Sequence, residues 1–520
     1  MDDSETDTLI AVSKPKDKPM KSKKQRNLAL GSVYPEVIEP EKDFLLPQKV
    51  KRRDSSNHYG TIPEMEPEIA ADSPGPLSAT LLMVPIVAML GLALGIYEPL
   101  IVELFKSRIC EYNFNFTRTI CLDLANFTGN NASDIGAETT EATAKITAIS
   151  GLLSSVPCLF ITLFMGSWSD NFGRKLPMAL PFLGFILSAF VTTLAANYPL
   201  HPYILLLSPF SMSLFGGWVV LLMAVFSYVA DYTTAENRST AVALVDGSLL
   251  VGKTAGILAG GQLLSKYGFT IPLFIFGTLP ILAVSYVLVF VKERGVFGTS
   301  QQFSCAVFTT KNLLDNAAVL GKKRVGNTRK HIHLLLLSTA LGLIFLGDQT
   351  ALQLITEKSP FSWDVATFTK FISVQNVAVG LALALLVPLF RVLAASDIWI
   401  AIISCISAVL CSYGYAFSNS TATLLVAAAT GILRNFHVVL ARAMLVPMVA
   451  RDELGKLMSA YATLQAIAPL FQSLFFGSIF ALTVAWWPGF CFVLGSFAFV
   501  LSLAIFCYID WDRQNEIYSL

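Results

Sequence analysis

From residue 78 onward, apolar runs of about twenty residues or more, with few charges, follow one another, separated by polar breaks. A hydrocarbon core about 30 Å thick takes about 20 residues of helix at 1.5 Å rise to cross. Twelve runs of that kind are legible, at 79–104, 143–166, 176–196, 203–230, 239–264, 269–291, 332–356, 365–390, 396–417, 421–449, 456–482 and 486–508. Inside lipid no water satisfies the backbone, so only helices or closed barrels span it, and these runs are far too long for barrel strands. The expectation is an all-α membrane protein with twelve transmembrane helices. Composition agrees: 14% of the 520 residues are charged and 54% hydrophobic, against about 25% charged in soluble domains. A net charge of +1, without a long basic run interleaved with aromatics, gives no reason to expect nucleic acid as a partner.

Lys and Arg set the orientation. They crowd the first tail and the even-numbered loops, at Arg174, Lys175, Arg238, Lys292, Arg294, Lys322, Lys323, Arg324, Arg329, Lys330, Arg391, Arg451 and Lys456, and are sparse in the odd-numbered loops. Both termini are therefore expected in the cytoplasm. The loop after the first run then lies outside, and it carries three N-glycosylation sequons, at Asn115, Asn126 and Asn131. Cys110 and Cys121 in the same region either form a local disulfide or remain two free thiols. The other six cysteines show no metal-ligand spacing.

Residues 1–77 are polar and too poor in apolar side chains to fold alone, so a disordered cytoplasmic tail is expected there. It carries Glu41–Leu46 and Glu5–Ile10, which resemble acidic dileucine sorting signals, and Tyr34–Val37, which resembles a tyrosine sorting signal. Residence in the plasma membrane or in endolysosomal membranes both remain open. The basic stretch 292–331 divides the runs six and six, into bundles at 78–291 and 332–508, with a short cytoplasmic tail at 509–520. That plan resembles the major facilitator fold.

The stretch "GSWSDNFGRK", 166–175, follows the second run. Its pattern G-x-x-x-D-x-x-G-R-K resembles the signature loop of major facilitator transporters. Gly166 allows a neighbouring helix to approach closely. Gly173 permits a tight turn. Asp170 suits a helix N-terminus, and Arg174 offers a carboxylate a planar fork. The resemblance implies a cytoplasmic latch in which Asp170 faces the start of helix 11 and Arg174 pairs with Asp231 at the end of helix 4. Otherwise the stretch is an ordinary basic inner loop with a solvated aspartate. A degenerate echo of it, Leu389–Asp397, follows helix 8.

Ionisable side chains within membrane spans are costly and are functional candidates by default. Here they are Glu98, Asp246, Lys253, Asp348, Arg434, His437 and Arg442. Asp246 and Lys253, seven residues apart, share a helix face at about 10.5 Å separation; they either neutralise each other or each meets a partner on another helix. Asp246 is the candidate proton carrier. Arg434 and Arg442 call for an anionic solute or an acid on another helix, and one of them can instead lock onto Asp348.

The stretches "GSWSDNFGRKLPM", "FSYVADYTTAENRSTAVALVDGSLLVGKTAGILAGGQL" and "RAMLVPMVARDELGKLMSAYATLQ" resemble the proton-coupled folate transporter and thymic stromal cotransporter-like family. The resemblance implies that Asp246 and Asp231 serve proton coupling, that Arg442 handles solute and proton, and that Asp170 and Arg174, with Gly166 and Gly173, form the gate. Departures are an Asp rather than Glu at 246, Lys253 in place of a small residue, and no cysteine after helix 7, which favours a Cys110–Cys121 pair. The expected protein is a secondary transporter moving an organic, anionic solute (folate-like, muropeptide-like or related) with protons by alternating access. Arg442, Arg434, Lys253, Asp348 and Glu98 are its candidate solute-binding residues. It is expected to act as a monomer embedded in lipid, with no cofactor, metal or catalytic residue. The rivals are a proton-independent facilitator or antiporter, and a non-transporting receptor or adaptor.

Overall fold

The computed structural model describes residues 76–114, 132–234, 237–292, 308–356, 360–363, 365–483 and 486–518. The first tail, the sequons at Asn115, Asn126 and Asn131, and Cys121 lie outside the described residues. Among those described, every regular element is a helix, and ten helices are long and apolar enough to cross a membrane. The chain is a multi-pass, all-α membrane protein.

In chain order the helices are α1 (Pro76–Phe114), α2 (Ala132–Phe172) and α3 (Lys175–Asn197). A 3₁₀ turn at Pro202–Leu206 leads into α4 (Leu207–Leu214), followed by α5 (Gly217–Tyr232), α6 (Arg238–Tyr267) and α7 (Thr270–Phe290). After a short helix α8 (Thr310–Gly321) come α9 (Thr328–Phe345), α10 (Gln349–Thr356), α11 (Val365–Val392) and α12 (Asp397–Phe417). The last are α13 (Thr421–Thr430), α14 (Phe436–Leu445), α15 (Leu454–Thr483) and α16 (Phe490–Tyr518).

Three runs read as single spans are broken. The run 203–230 kinks at Gly216 and Gly217, whose φ values of 88° and 54° suit glycine and few others. The run 332–356 divides at Leu346–Asp348, and 421–449 at a 3₁₀ turn, Gly431–Leu433. Broken backbone is tolerated at membrane depth only when buried in protein or lining a cavity. The division of 332–356 is also why that run is absent from the ten spanning helices; the run 456–482 lies within α15.

The stretch 292–331, expected to be a loop, holds α8. Asn316 on α8 donates to the Leu163 carbonyl of α2 and reaches Ser459 Oγ of α15 at 3.5 Å, while Phe308 stacks on Phe160 and meets Phe164 edge-on. The final helix runs past 508 to Tyr518. It is anchored there by Asp512, which accepts from Asn327 Nδ2 at 2.9 Å and meets His331 Nε2 at 2.8 Å.

Glycine sets the tightest crossing, that of α1 and α6. A Cβ at Gly91 would lie 2.5 Å from the Leu249 carbonyl and 2.8 Å from Lys253 N; one at Gly256 would lie 2.9 Å from Gly95 Cα. This small-residue contact replaces the hydrophobic drive that lipid removes. Two long seams join helices before the 292–331 stretch to helices after it: α2 with α15, and α6 with α11.

Candidate functional site

The stretch 166–175, expected as a loop with Gly166 ending the helix, is mostly helical: α2 continues to Phe172, and only Gly173 and Arg174 lie between α2 and α3. Asp170 accepts from the backbone N–H of Gly455 (2.7 Å) and of Lys456 (3.0 Å), so its carboxylate caps the first turn of α15. A cap of this kind satisfies orphan donors and opposes the positive end of the helix dipole. Arg174 holds Asp170 at 2.7 Å, Asp231 at the end of α5 at 3.3 Å, and Ser169 Oγ at 2.8 Å. Burial alone would lower the pKa of this guanidinium; the two carboxylates outweigh it and hold the value above the ordinary one. A Cβ at Gly166 would lie 2.5 Å from the Gly455 carbonyl, so glycine is what lets α2 seat against α15. Gly173 turns the chain at φ 105°.

The echo at 389–397 makes the reciprocal contact. Arg391 holds Asp397 at 2.6 Å and donates to Ser239 Oγ at 2.8 Å; Ser239, in the first turn of α6, donates to Asp397 at 2.5 Å. Each loop thus places an aspartate at the start of a helix from the other half of the chain. A third contact joins the same end: Glu453, just before α15, is held by Lys322 and, at 3.0 Å, by Arg324. Burial pushes the Glu453 carboxyl up, but the hydrogen bonds from Lys322 and Arg324 outweigh this and set it below the ordinary value.

Six of the charges within the spans form three pairs, set on α1, α6 and α14 and at the breaks before α10 and α14. Asp246 on α6 meets Arg442 on α14 at 2.8 Å. The Arg442 guanidinium carbon lies 3.8 Å from the centroid of Phe226 and 4.4 Å from that of Tyr461, so two aromatic faces hold the cation, and the Tyr461 hydroxyl is fixed by the Val438 carbonyl at 3.1 Å. Arg434, at the break before α14, meets Asp348, at the break before α10, at 2.7 Å and donates to the Leu346 carbonyl at 3.3 Å. Lys253 on α6 meets Glu98 on α1 at 2.7 Å. Asp246 and Lys253 therefore do not neutralise each other: each lies beside a different helix and takes the opposite charge there. His437 is fully buried, its Nδ1 3.2 Å from Ser404 Oγ.

Cys110 is disulfide-bonded, whereas Cys158, Cys405, Cys411, Cys491 and Cys507 are free. Among the described residues no group of His, Cys, Asp and Glu is arranged to hold a metal ion.

Buried contacts at two reciprocal stretches, with one charge pair set where two helices break and two more between continuous helices, suit a carrier that opens and closes around a central site. Residues 119–395 match the sequence profile of the Major Facilitator Superfamily, and the chain belongs to that superfamily. It is a transporter, not an enzyme. Its sequence is 26% identical over 445 residues to the lysosomal proton-coupled steroid conjugate and bile acid symporter SLC46A3 of Homo sapiens, covering 83% of this chain and 95% of that protein. It is 26% identical over 416 residues to the proton-coupled folate transporter of Rattus norvegicus, covering 79% and 88%. The fold matches the crystal structure of the human organic anion transporter MFSD10 (TETRAN) with a TM-score of 0.66 at 15% identity, over 84% of this chain and all of that one.

Residues that the sequence reading left aside as functional are Arg391 and Asp397 of the second stretch with Ser239 of α6, Glu453 with Lys322 and Arg324, and the aromatic pair Phe226 and Tyr461. The echo at 389–397 signalled the first group. Nothing in the sequence marked the aromatic pair among 37 Phe and 15 Tyr.

Proposed function

We propose that this protein is a secondary active transporter carrying an organic anion together with protons by alternating access, with the 166–175 loop and both termini on the cytoplasmic side. The observation that carries the reading is the Asp246–Arg442 pair, which ties α6 to α14 next to the α15 contact that the latch secures. Protonating Asp246 removes the charge that holds Arg442 and loosens that tie. Coupling of protons to gate opening follows without any further part. The latch contacts support a state closed at the cytoplasmic end. Asp231 acts in the gate through Arg174, and Asp348 fixes Arg434 across two helix breaks. The printed activities of the relatives, steroid-conjugate, bile-acid and folate carriage with protons and organic-anion transport, support the substrate class. Both plasma and endolysosomal membranes supply the proton gradient such a carrier needs.

Uptake of labelled steroid sulfate, bile acid and folate into proteoliposomes, with and without an imposed acid-outside gradient, tests this. Gradient-driven uptake in the wild type, lost in Asp246→Asn while exchange persists, is the expected result. Uptake indifferent to the gradient would point to a facilitator or antiporter, and no uptake of any anion to a receptor or adaptor. On the outer side we assign glycans to Asn115, Asn126 and Asn131 and a disulfide to Cys110 and Cys121. Glycosidase treatment should sharpen and lower the protein band, and Cys121→Ser should leave a thiol at Cys110.

A further inference from the structure

The three intramembrane pairs differ in exposure, and this decides what each can do. The side chains of Arg442 and Asp246 are 3% and 13% exposed, and those of Arg434 and Asp348 are 9% and 4%. Those of Lys253 and Glu98 are 36% and 50% exposed. Taking one member out of a buried pair strands a charge in a medium that cannot solvate it. An exposed pair contributes little net free energy, because water already competes for both members. A solute can therefore take Lys253 from Glu98 at small cost, whereas Arg442 and Arg434 are not available to it in this state.

We read the exposure of this pair as facing the space between the helices and not lipid, on two grounds. Lys253 lies two helical turns from Asp246 on the same face of α6, the face that meets α14 through Arg442. A charge pair opening to lipid would be strongly unfavourable. The position is also rigid: the Lys253 backbone is clasped by α1, with Lys253 N 2.8 Å from the Cβ position of Gly91 and its carbonyl against Gly95. Helix α7, which also packs on α1, carries no Asp, Glu, Lys or Arg.

We infer that Lys253 is the docking cation for the anionic group of the solute, and that Glu98 is a built-in counter-ion which the solute displaces. This rests on the transport reading above and narrows the substrate class. An ammonium is a compact point charge, without the planar fork by which arginine selects carboxylates and phosphates. Lys253 thus accepts a carboxylate or a sulfate alike, so the solutes share one localised anion of either kind. An analogue whose anion is masked as an ester or amide cannot displace Glu98.

The test uses the full chain in proteoliposomes, with a labelled bile acid, a steroid sulfate and the methyl ester of the bile acid as probes. Removing the competitor by Glu98→Gln should lower KM for both anions about three- to tenfold and leave the ester unmoved. Lys253→Gln should raise KM for the anions about tenfold or more, Lys253→Arg should restore much of the loss, and the double variant should behave as Lys253→Gln. A rise in KM for Glu98→Gln equal to that for Lys253→Gln would overturn the inference, as would Lys253→Gln with unchanged KM. A second readout needs no transport: thermal unfolding of the detergent-solubilised protein titrated with sodium sulfate. A saturating stabilisation should begin at lower sulfate in Glu98→Gln than in the wild type, and in Lys253→Gln only the general, non-saturating effect of a kosmotropic salt should remain. If the wild type carries none of the probes but shows this sulfate order, the anion site stands and the transport reading falls. If transport is normal and sulfate acts alike on all three, the anion site falls and the transport reading stands. If neither is seen, both fall.

Discussion

Asp246 and Arg442 show how much a single pair fixes when it lies between helices. Arg442 is almost fully buried, faced by Phe226 and Tyr461, and has one carboxylate partner among the described residues. Asp246→Asn strands that cation, and the expected loss of stability is about 3–5 kcal/mol, the cost of breaking a buried pair from one side. Thermal unfolding in detergent should show Asp246→Asn and Arg442→Gln each strongly destabilised, and the double variant less so than the sum. Additive effects would mean that the pair is not coupled. All six paired residues were legible in the sequence, because a charge inside an apolar run stands out. Their pairing was less so. The periodicity of α6 gave the shared face of Asp246 and Lys253, but not what that face meets, since the partners lie on helices remote in sequence.

At the level of the elements, the seam between α2 and α15 depends on the absence of a side chain at Gly166. A Gly166→Leu variant should be unable to close there. Spin labels on the two helices should report a longer distance than in the wild type, with binding of the probe anions from the latch side increased; unchanged spacing would show that the seam yields. The helix α8 adds a strap across the same seam. Asn316→Ala removes a hydrogen bond to α2, and a shift of about 1 kcal/mol toward the open state is expected in the same distance measurement. The sequence hid α8 because its twelve residues form a marginal helix in isolation, stabilised by the helices beneath it. It also hid the three broken spans, since mean hydropathy over a window does not register a turn at Gly216 or at Gly347–Asp348. The signature loop, by contrast, was legible residue by residue, because each of its side chains has a local geometric task.

Across the molecule, the closed end is held by Asp170, Asp397 and Glu453 with their cationic partners. The Glu453 carboxyl is depressed below its ordinary value of 4.5, so its contribution is fully present above about pH 4.5 and fades only as the pH falls through the depressed value. The Glu453 contacts should therefore not change between about pH 5 and pH 7.5, the range in which a physiological gradient works. Glu453→Gln should weaken closure equally across that range when followed by the same spin labels. A variant effect that appears only at acid pH would contradict this. Proton sensing at ordinary pH is thereby directed away from Glu453.

The pairing of charges within the spans has an electrical consequence. Three acids face three bases, Asp246 with Arg442, Asp348 with Arg434 and Glu98 with Lys253, so these six residues present no net charge to the field. Each unpaired charge crossing 100 mV would gain or lose about 2.3 kcal/mol. A monovalent anion that enters with one proton adds nothing to that sum. Uptake should then respond to pH while an imposed potassium diffusion potential leaves its rate unchanged, and electrodes on a planar bilayer should record no current as the solute crosses.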